Sequence, residues 1–376
     1  MQPEQSLSFL GLILKNLFRQ RVRTGLTVLG ISLGITTVVT LGVVTSSLKT
    51  ASGEIIHFGG SDFMVAQEGA ADLSFSVVPE SDAAALAQLP DVSRVQVALF
   101  HVTRIGSNPF FFMLGLKPAD VRVNPPPLVA GTALSDDPQD VMLGERAASD
   151  LGVGVGDSVV LDDRQFTVVG IYRTVSLYED GGAFAALATV QELAAKSGVV
   201  TAVFVSARPG VDPKDLAAEI EDTFPNLATI ADVSEYGKVD QGITILDAAN
   251  LAISILAVGI GAIGVMNTMV MSVFERTREI GILRAVGWSG ERILRMILGE
   301  SLLLCLVAMI VGSFVGFAAT QALLLVDTIR SLLQPEYTVA VFLRGLIVAV
   351  VVAFAGAAYP AFRAVRLTPM EALRYE

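Results

Sequence analysis

Charged residues are scarce in this chain and make up 17% of its 376 residues, against about 25% in an average soluble domain. The hydrophobic share reaches 52%, and the mean hydropathy is positive at +0.62. The scarcity is uneven, because charges are missing from four long windows and crowd into the segments between them. This unevenness excludes an ordinary soluble protein and indicates membrane-spanning segments.

Cysteine and histidine are nearly absent. Cys305 is the only cysteine, which excludes a disulfide within the chain, and His57 and His101 are the only histidines. Zinc and iron–sulfur centres need several such ligands, so no metal or cofactor site is predicted. Motifs such as G-x-S-x-G and H-E-x-x-H are missing too, so no catalytic residues are predicted. The sequence has no basic patch interleaved with aromatic residues, which argues against a nucleic-acid partner.

Four apolar windows are long enough to cross a lipid bilayer. The predicted spans cover residues 25–48, 248–274, 301–326 and 345–362. At 1.5 Å rise per residue the first measures about 36 Å, enough for a hydrocarbon core of about 30 Å. It is longer than the apolar region of about 7–15 residues in a signal peptide, so a retained span is favoured over a cleaved leader.

Residues 181–205 form a fifth apolar stretch, but Glu192 and Lys196 interrupt it near the middle. Burying both charges in lipid costs several kcal/mol. We therefore predict a strand–helix–strand piece of a soluble domain here.

Basic residues mark one side of the membrane. They precede the first span, fill the segment between the second and third, and follow the fourth. They are Lys15, Arg19, Arg21 and Arg23, then Arg276, Arg278, Arg284, Arg292 and Arg295, and finally Arg363, Arg366 and Arg374. The positive-inside rule makes that side cytoplasmic. An amphipathic lead-in (1–24), a segment at 275–300 and a tail (363–376) are therefore predicted inside the cell, and residues 49–247 and a loop at 327–344 outside it.

The external residues 49–247 are acidic and long enough for a real core. Alternation and β-branched content predict strands, and capping residues such as Ser81 and Asp212 predict helix starts. Pro125–Pro127 and Gly131 mark a linker. We therefore expect four transmembrane α-helices plus an α+β extracytoplasmic domain of two lobes, with an inserted lobe at about 129–206.

Helical spacing continues outward from the second span. Val239, Ile243 and Leu246 recur at this spacing, which predicts a stalk that carries the span into the external domain. An ordinary connecting helix explains the same pattern. In the same domain, Phe110–Phe112 either line an apolar site or belong to a buried strand. The doublets Asp162–Asp163 and Glu179–Asp180 are interpreted as solvated turns, and His101 as a structural residue.

Small residues suggest how the spans pack. Gly30 and Gly34 in the first span, and Gly312 and Gly316 in the third, have the spacing that lets helices approach closely. Intramolecular packing is favoured for Gly312 and Gly316.

The segment after the second span carries the most informative pattern. Residues 274–287 read FERTREIGILRAVG, which predicts a short charged helix with Ile280 and Leu283 on its apolar side. Its last four residues read RAVG and precede the third span. The end of the fourth span continues into PAFRAVRLTPMEALR at 360–374. NLFRQRVRT at 16–24 precedes the first span, and LGERA at 143–147 with LGVGVGD at 151–157 lies in the external domain.

Taken in this order, these segments resemble the MacB-type permeases of ABC transporters, the FtsX-like or type VII class. The resemblance implies a porter-like lobe split around an inserted sabre-like lobe. It also implies a homodimer or a heterodimer with a related permease, in which the first span contributes to the contact. The resemblance further implies an ABC ATPase subunit, which binds ATP-Mg, beneath each copy. This subunit is expected to be a separate polypeptide, because no G-x-x-x-x-G-K-[ST] motif occurs in this chain.

The resemblance assigns the ATPase contact to the helix Glu275–Gly287, which is the first part of the predicted cytoplasmic coupling segment, residues 275–300. The residues implied in the contact are Glu275, Arg276, Thr277, Arg278, Glu279, Ile280, Gly281, Leu283, Arg284, Ala285 and Gly287. ATP binding would close the dimer, and the stalks would carry the motion outward, which is called mechanotransmission. Three roles remain open: export of a substrate, activation of an extracytoplasmic partner such as an adaptor or hydrolase, and an ATPase-independent membrane receptor or anchor.

Overall fold

The computed structural model describes residues 21–105, 108–174, 176–326, 329 and 333–366. These residues form two compact units. The helical unit comprises the chain up to Val44, Ala248–Ala322 and the chain from Glu336 onward, and the α/β unit comprises Thr45–Asp247 and Leu323–Pro335. Most of the predicted lead-in, much of the predicted tail, and parts of the loop at 327–344 lie outside the described residues.

The α-helices follow one another along the chain as numbered here. They are α1 (Arg21–Ile56), α2 (Glu80–Leu86), α3 (Pro118–Val123), α4 (Glu145–Leu151), α5 (Leu177–Asp180), α6 (Leu187–Leu193), α7 (Pro213–Thr223), α8 (Gln241–Glu275), α9 (Thr277–Ala285), α10 (Gly290–Leu323) and α11 (Val339–Arg366). Within the described residues, α1, α8, α10 and α11 are long and apolar enough to cross a membrane. The prediction of four spans is thus confirmed. Three of these helices extend beyond the predicted span at both ends; α10 begins earlier, at Gly290, but ends at Leu323, before the predicted end at residue 326.

Glycines of α10 lie against α1 in the helical unit. A Cβ atom added to Gly312 would lie 2.7 Å from the Ser32 carbonyl oxygen, and one added to Gly316 would lie 3.0 Å from Cγ1 of Val39. The close approach lets the Thr36 hydroxyl donate to the Gly312 carbonyl at 3.1 Å. These two glycines therefore pack within the chain, where any larger residue would push α1 and α10 apart.

The glycines of α1 have different surroundings. A Cβ atom on Gly34 would lie 3.1 Å from Cβ of Ala257 on α8, whereas one on Gly30 would meet nothing within 4 Å among the described residues. Gly34 thus accommodates a neighbouring helix of the same chain. A Cβ on Gly30 would contact no neighbouring helix among the described residues, so its side of α1 is exposed.

The strands of the α/β unit are numbered in the same way. They are β1 (Phe63–Gln67), β2 (Val78–Pro79), β3 (Val92–Ile105), β4 (Asn108–Leu116), β5 (Leu128–Gly131), β6 (Asp140–Gly144), β7 (Ser158–Leu161), β8 (Arg164–Tyr172), β9 (Ala183–Ala186), β10 (Val199–Val200), β11 (Ala202–Ala207) and β12 (Leu227–Ile230).

One mixed sheet runs through the described part of this unit, in the order β12-β1-β11-β3-β4-β9-β6-β8-β5, with β7 paired to β8. The β4–β9 and β6–β8 pairs are parallel, and the other pairs of this sheet are antiparallel. The strands of the predicted inserted lobe thus continue the sheet begun by the residues before it. The α+β class is confirmed, and the division into two lobes is not.

Both faces of the central strands are buried. Phe63 and Val65 of β1 pack in one hydrophobic core, while Met64 and Ala66 between them pack in a second core on the opposite face. Successive residues of a strand point to opposite faces, so a strand covered on both sides reads as a continuous apolar run. The second core also contains Ile56, at the end of α1.

The predicted stalk residues lie at and beside the start of α8. Val239 and Ile243 are buried in the second core, and Leu246 is half-buried. Lys49 of α1 and Asp247 of α8 form an ion pair with a 2.6 Å nitrogen–oxygen distance. The outer ends of α1 and α8 are thereby fixed to each other and to the sheet.

Local predictions in the α/β unit had mixed outcomes. The strand–helix–strand interpretation of residues 181–205 is confirmed by β9, α6 and β11. Asp212 caps α7 by accepting from the Lys214 amide at 2.9 Å, as predicted. The N-cap at Ser81 is wrong, because α2 already begins at Glu80, after Pro79.

The two acidic doublets differ from each other. Asp162 and Asp163 have positive φ angles of 47° and 60° and form the turn between β7 and β8, as expected. Glu179 contradicts its prediction as a solvated turn residue, because it lies in α5 and is half-buried. Burial raises the pKa of its carboxyl to about 7, and the nearby Glu54 and Asp180 carboxylates add to the shift. His101 pairs with Asp162 at 2.7 Å, which fits a structural role.

We predict that Gly312→Ala destabilises the helical unit by about 1–3 kcal/mol, the usual range for overpacking. The added methyl group would collide with the Ser32 carbonyl oxygen, and this outweighs the gain of about 1 kcal/mol in helix propensity. Thermal unfolding of the detergent-solubilised protein measures the change. Gly259→Ala is the matched control, because a Cβ there meets nothing within 4 Å. Equal melting temperatures for the two variants would contradict the packing.

Candidate functional site

The coupling segment begins with a break in the helix. α8 ends at Glu275, and Arg276 leaves helical geometry (φ −106°, ψ 9°) before α9 starts at Thr277. α9 ends at Ala285, and Gly287 then takes a φ of +98°. That backbone angle favours glycine, which has no Cβ to clash. The predicted charged helix is therefore α9, set between two turns.

One side of the segment is held down by a buried ion pair. The Arg276 guanidinium donates to the Glu300 carboxylate of α10 with 2.8 Å between Nη1 and Oε1, and the two side chains are only 11% and 6% exposed. Nε of Arg276 also contacts Glu279 at 3.2 Å. Hydrogen bonds between charged groups are shorter and stronger than neutral ones, and removing one partner of a buried pair leaves the other charge without compensation. This pair fixes the start of α9 to α10.

Apolar contacts complete the same side. Ile280 is 2% exposed and belongs to a small core formed by α8, α9, α10 and α11, with Ile293 and Ala361 among its members. The Thr277 hydroxyl donates to the Val273 carbonyl at 3.1 Å, which joins α9 back to α8. Gly281 is buried as well. Predicted contact residues on this side therefore serve the fold of the segment.

The other side of the segment is exposed and is called the outer face here. It consists of Glu275, Arg278, Glu279, Ile282, Ala285, Val286 and Gly287. Ile282 and Val286 are large apolar residues with 49% and 77% of their surface exposed. Leu283 and Arg284 are half-buried between the two sides. The predicted set of eleven residues thus divides into an inner and an outer group, and Ile282 and Val286 join the outer group although the prediction omitted them.

Sequence reasoning also missed three supporting residues. Glu300 is the partner of Arg276. The sequence feature that could have indicated it is a single acidic residue directly before the apolar window at 301–326, next to an arginine-rich segment. The Arg363 guanidinium lies 4.8 Å from the centre of the Phe274 ring, a cation–π contact that ties α11 to the end of α8. Gly290 starts α10 against Val365, since an added Cβ would lie 2.8 Å from its Cγ1.

Comparisons with known proteins agree with this architecture. Residues 24–223 match the family model described as the MacB-like periplasmic core domain. Residues 251–369 match the model of the FtsX-like permease C-terminal region. The first match alone covers more than half of the chain, and the second contains α9, α10 and α11.

Named relatives align over almost the whole chain. The macrolide export ATP-binding/permease protein MacB of Agrobacterium fabrum is 29% identical over 95% of this chain and 59% of that protein. The pyoverdine export ATP-binding/permease protein PvdT of Pseudomonas entomophila is 27% identical over 95% of this chain and 58% of that protein. This chain thus spans less than two thirds of the length of these relatives. The crystal structure of the periplasmic region of MacB from Actinobacillus actinomycetemcomitans covers 48% of this chain at 17% identity, with a TM-score of 0.37 and 93% of that structure matched.

The fold and the coupling segment define a membrane protein with four spans, an α/β domain between the first and second, and a short charged helix between the second and third. The two family matches are specific to that layout. The chain belongs to the MacB-like, FtsX-like family of ABC transporter permeases, and its α/β domain is the family's extracytoplasmic domain.

We predict that Glu300→Gln destabilises the protein by about 3 kcal/mol, because it leaves the Arg276 guanidinium buried without its main partner. Glutamine keeps the volume of the side chain, so packing is conserved. The matched control is Glu291→Gln, which breaks the exposed pair of Glu291 and Arg295 (2.9 Å) and should cost no more than about 1 kcal/mol. Thermal unfolding in detergent distinguishes the two, and similar losses would show that the buried pair does not hold the segment.

Proposed function

We propose that this chain is the permease subunit of an ABC transporter and that its outer face docks on an ATP-binding subunit. The observation that carries the proposal is the division of the coupling segment. One side is locked by the Arg276–Glu300 pair and Ile280, while the other leaves Ile282 and Val286 exposed. Apolar residues set among charged ones are the usual composition of a protein–protein contact. The arginine-rich sequence around this face supports a position on the cytoplasmic side.

Because its inner side is fixed to the helices, the coupling segment can transmit a movement of the docked partner to them. A loosely attached loop would move by itself when the partner moves, without displacing the helices. α9 is instead packed and hydrogen-bonded to α8, α10 and α11, so its movement would be passed on to them. α8 then runs without interruption from Glu275 back to Gln241, and Ile243 near its start is buried in the core beneath the sheet. We propose that ATP binding by the partner moves α8 and thereby changes the shape of the extracytoplasmic domain.

Export is the output that this machinery supports best. The relatives MacB and PvdT are named for the export of macrolides and of pyoverdine. We extend the export role, and not those substrates, to this chain. ATP and Mg²⁺ would be bound by the partner subunit, so the permease itself contributes coupling and no catalysis.

We predict that Val286→Glu uncouples the transporter, because a carboxylate at a desolvated contact is left without compensation. The measurement is the ATPase rate of the subunit that co-purifies with this chain in native membranes, with and without the variant permease. Val286→Glu should lower the permease-dependent rate at least tenfold while leaving thermal stability unchanged. The matched control is Val123→Glu, at an equally exposed valine of the extracytoplasmic domain (85% against 77%). A fully coupled Val286→Glu variant would refute docking on the outer face.

We also propose that two permease chains associate through α1. A groove between α1 and α8 has Gly30 and Gly264 on its walls, and a Cβ on either would meet nothing within 4 Å among the described residues. Leu29 and Leu33 are exposed beside it. Small residues next to apolar ones are the composition of helix–helix contacts in membranes, so a helix of a second copy would fit here.

The dimer contact predicts a specific crosslink. In a Cys305→Ala background, Leu29→Cys should form a disulfide-linked dimer on oxidation of native membranes. Val39→Cys, fully buried against other helices of the same chain, is the control and should remain monomeric. Crosslinking in cells that express only this permease would establish a homodimer, and crosslinking only with a co-expressed related permease a heterodimer. Absence of any Leu29→Cys dimer would argue against α1 as the contact.

A further inference from the structure

The α/β unit contains a half-open cavity of about 400 Å³. Its floor is one face of the sheet, with Phe112 and Leu114 of β4 and Phe184 of β9. Its walls are the outer end of α1, with Leu48 and Ile55, and the first turns of α8. A concave, mainly apolar space of this size suits a small molecule. Phe112, one of the three phenylalanines singled out in the sequence, lines this cavity, and its neighbour Phe111 is buried in the core on the other face of the sheet.

The charged groups on this cavity have one sign. Asp72, Glu179 and Asp240 belong to its lining, and the lining contains no lysine, arginine or histidine among the described residues. Two of the acids also shape the backbone. Asp72 Oδ1 accepts from the Ser74 amide at 2.8 Å, and Asp240 Oδ1 accepts from the Ile243 amide at 3.2 Å. A carboxylate has about four acceptor positions, so capping does not exhaust either group.

Burial, and to a smaller extent the acidic neighbours, raises the pKa of two groups at this cavity. Burial, together with Asp72 and Asp240, raises the pKa of the Tyr178 hydroxyl to about 12. Burial and the neighbouring Asp72 raise the pKa of Asp240 in the same way. Lys196 donates its ammonium to the carbonyl of the lining residue Ser74 at 2.6 Å, but Lys196 itself is not part of the lining. The carboxylates of the cavity therefore lack a cationic partner within its lining.

We propose that this cavity binds an amphiphilic cation, a molecule with an apolar body and one positive charge. The apolar body would lie on Phe112 and Phe184, and the charge would lie near Asp72 and Asp240. An anion would be repelled by the carboxylates of Asp72 and Asp240, and a neutral apolar molecule would remove water from those carboxylates without replacing it. The site goes beyond the coupling function, since it involves no residue of the outer face.

The probe for the test is tritiated tetraphenylphosphonium, a compact apolar cation, bound to the full-length chain in lipid nanodiscs without any ATPase. Binding to empty nanodiscs is subtracted. The wild-type chain should show saturable binding of one probe per chain. Asp72→Asn/Asp240→Asn should weaken it about tenfold or more, because it removes two charges while asparagine still caps a helix. The matched control is Asp232→Asn, an exposed acid that caps another short helix by accepting from the Ser234 amide at 2.9 Å and lies outside the lining; its binding should be unchanged.

A second measurement locates the probe. In a Cys305→Ala background, Ile245→Cys places a thiol on the rim of the cavity, and tetraphenylphosphonium should slow its alkylation by a maleimide. Val160→Cys, an exposed position on β7, should react at the same rate with and without the probe. The proposal would be overturned if Asp72→Asn/Asp240→Asn bound the probe as tightly as the wild type. It would also be overturned if tetraphenylphosphonium did not slow the alkylation of Ile245→Cys. Because no ATPase is present, either result leaves the coupling hypothesis untouched.

Discussion

Hydrocarbon offers no hydrogen bonds to a polypeptide, and this constraint shapes the helical unit. The backbone of each span satisfies itself only as an α-helix, and hydroxyl side chains within the spans gain by donating to an acceptor nearby. The Thr36 hydroxyl reaches the Gly312 carbonyl, and the Ser301 hydroxyl reaches the Ala353 carbonyl at 3.0 Å. Such bonds form only where a glycine or alanine lets the helices approach. Small residues and hydroxyls thus act together to set which helices are neighbours.

The same constraint explains why the coupling segment has two sides. Arg276 directly follows the end of α8 and Glu300 lies within α10, and each charge would be costly to bury alone. Paired, they fix α9 against the helices and turn its other side outward. A single interaction therefore makes the segment rigid and also presents Ile282 and Val286 to a partner. Rigidity and exposure are the two properties that a coupling contact needs.

The extracytoplasmic domain uses its sheet in a different way. Central strands are covered on both faces, and the ends of α1 and α8 contribute to one of the two cores. The walls of the acidic cavity include parts of the same helices. A displacement of α8 would therefore alter the volume of the cavity as well as the packing of the sheet, which links the proposed coupling to the proposed ligand site through one structural element.

The sequence by itself determined the four spans, the position of the α/β domain between the first two, and the family, because hydropathy and short motifs are local properties of the chain. It also located Asp212 as a cap and residues 181–205 as part of the soluble domain. Which side of a helix faces inward was decided only by the tertiary structure. Arg276 and Glu300 are 24 residues apart in the chain, Gly312 meets Thr36 of α1 across 276 residues, and the half-burial of Glu179 depends on strands and helices distant in sequence. The pairing of Arg276 with Glu300, the packing of Gly312 on α1 and the half-burial of Glu179 each depend on residues brought close by folding, and no local pattern of residue types specifies those neighbours.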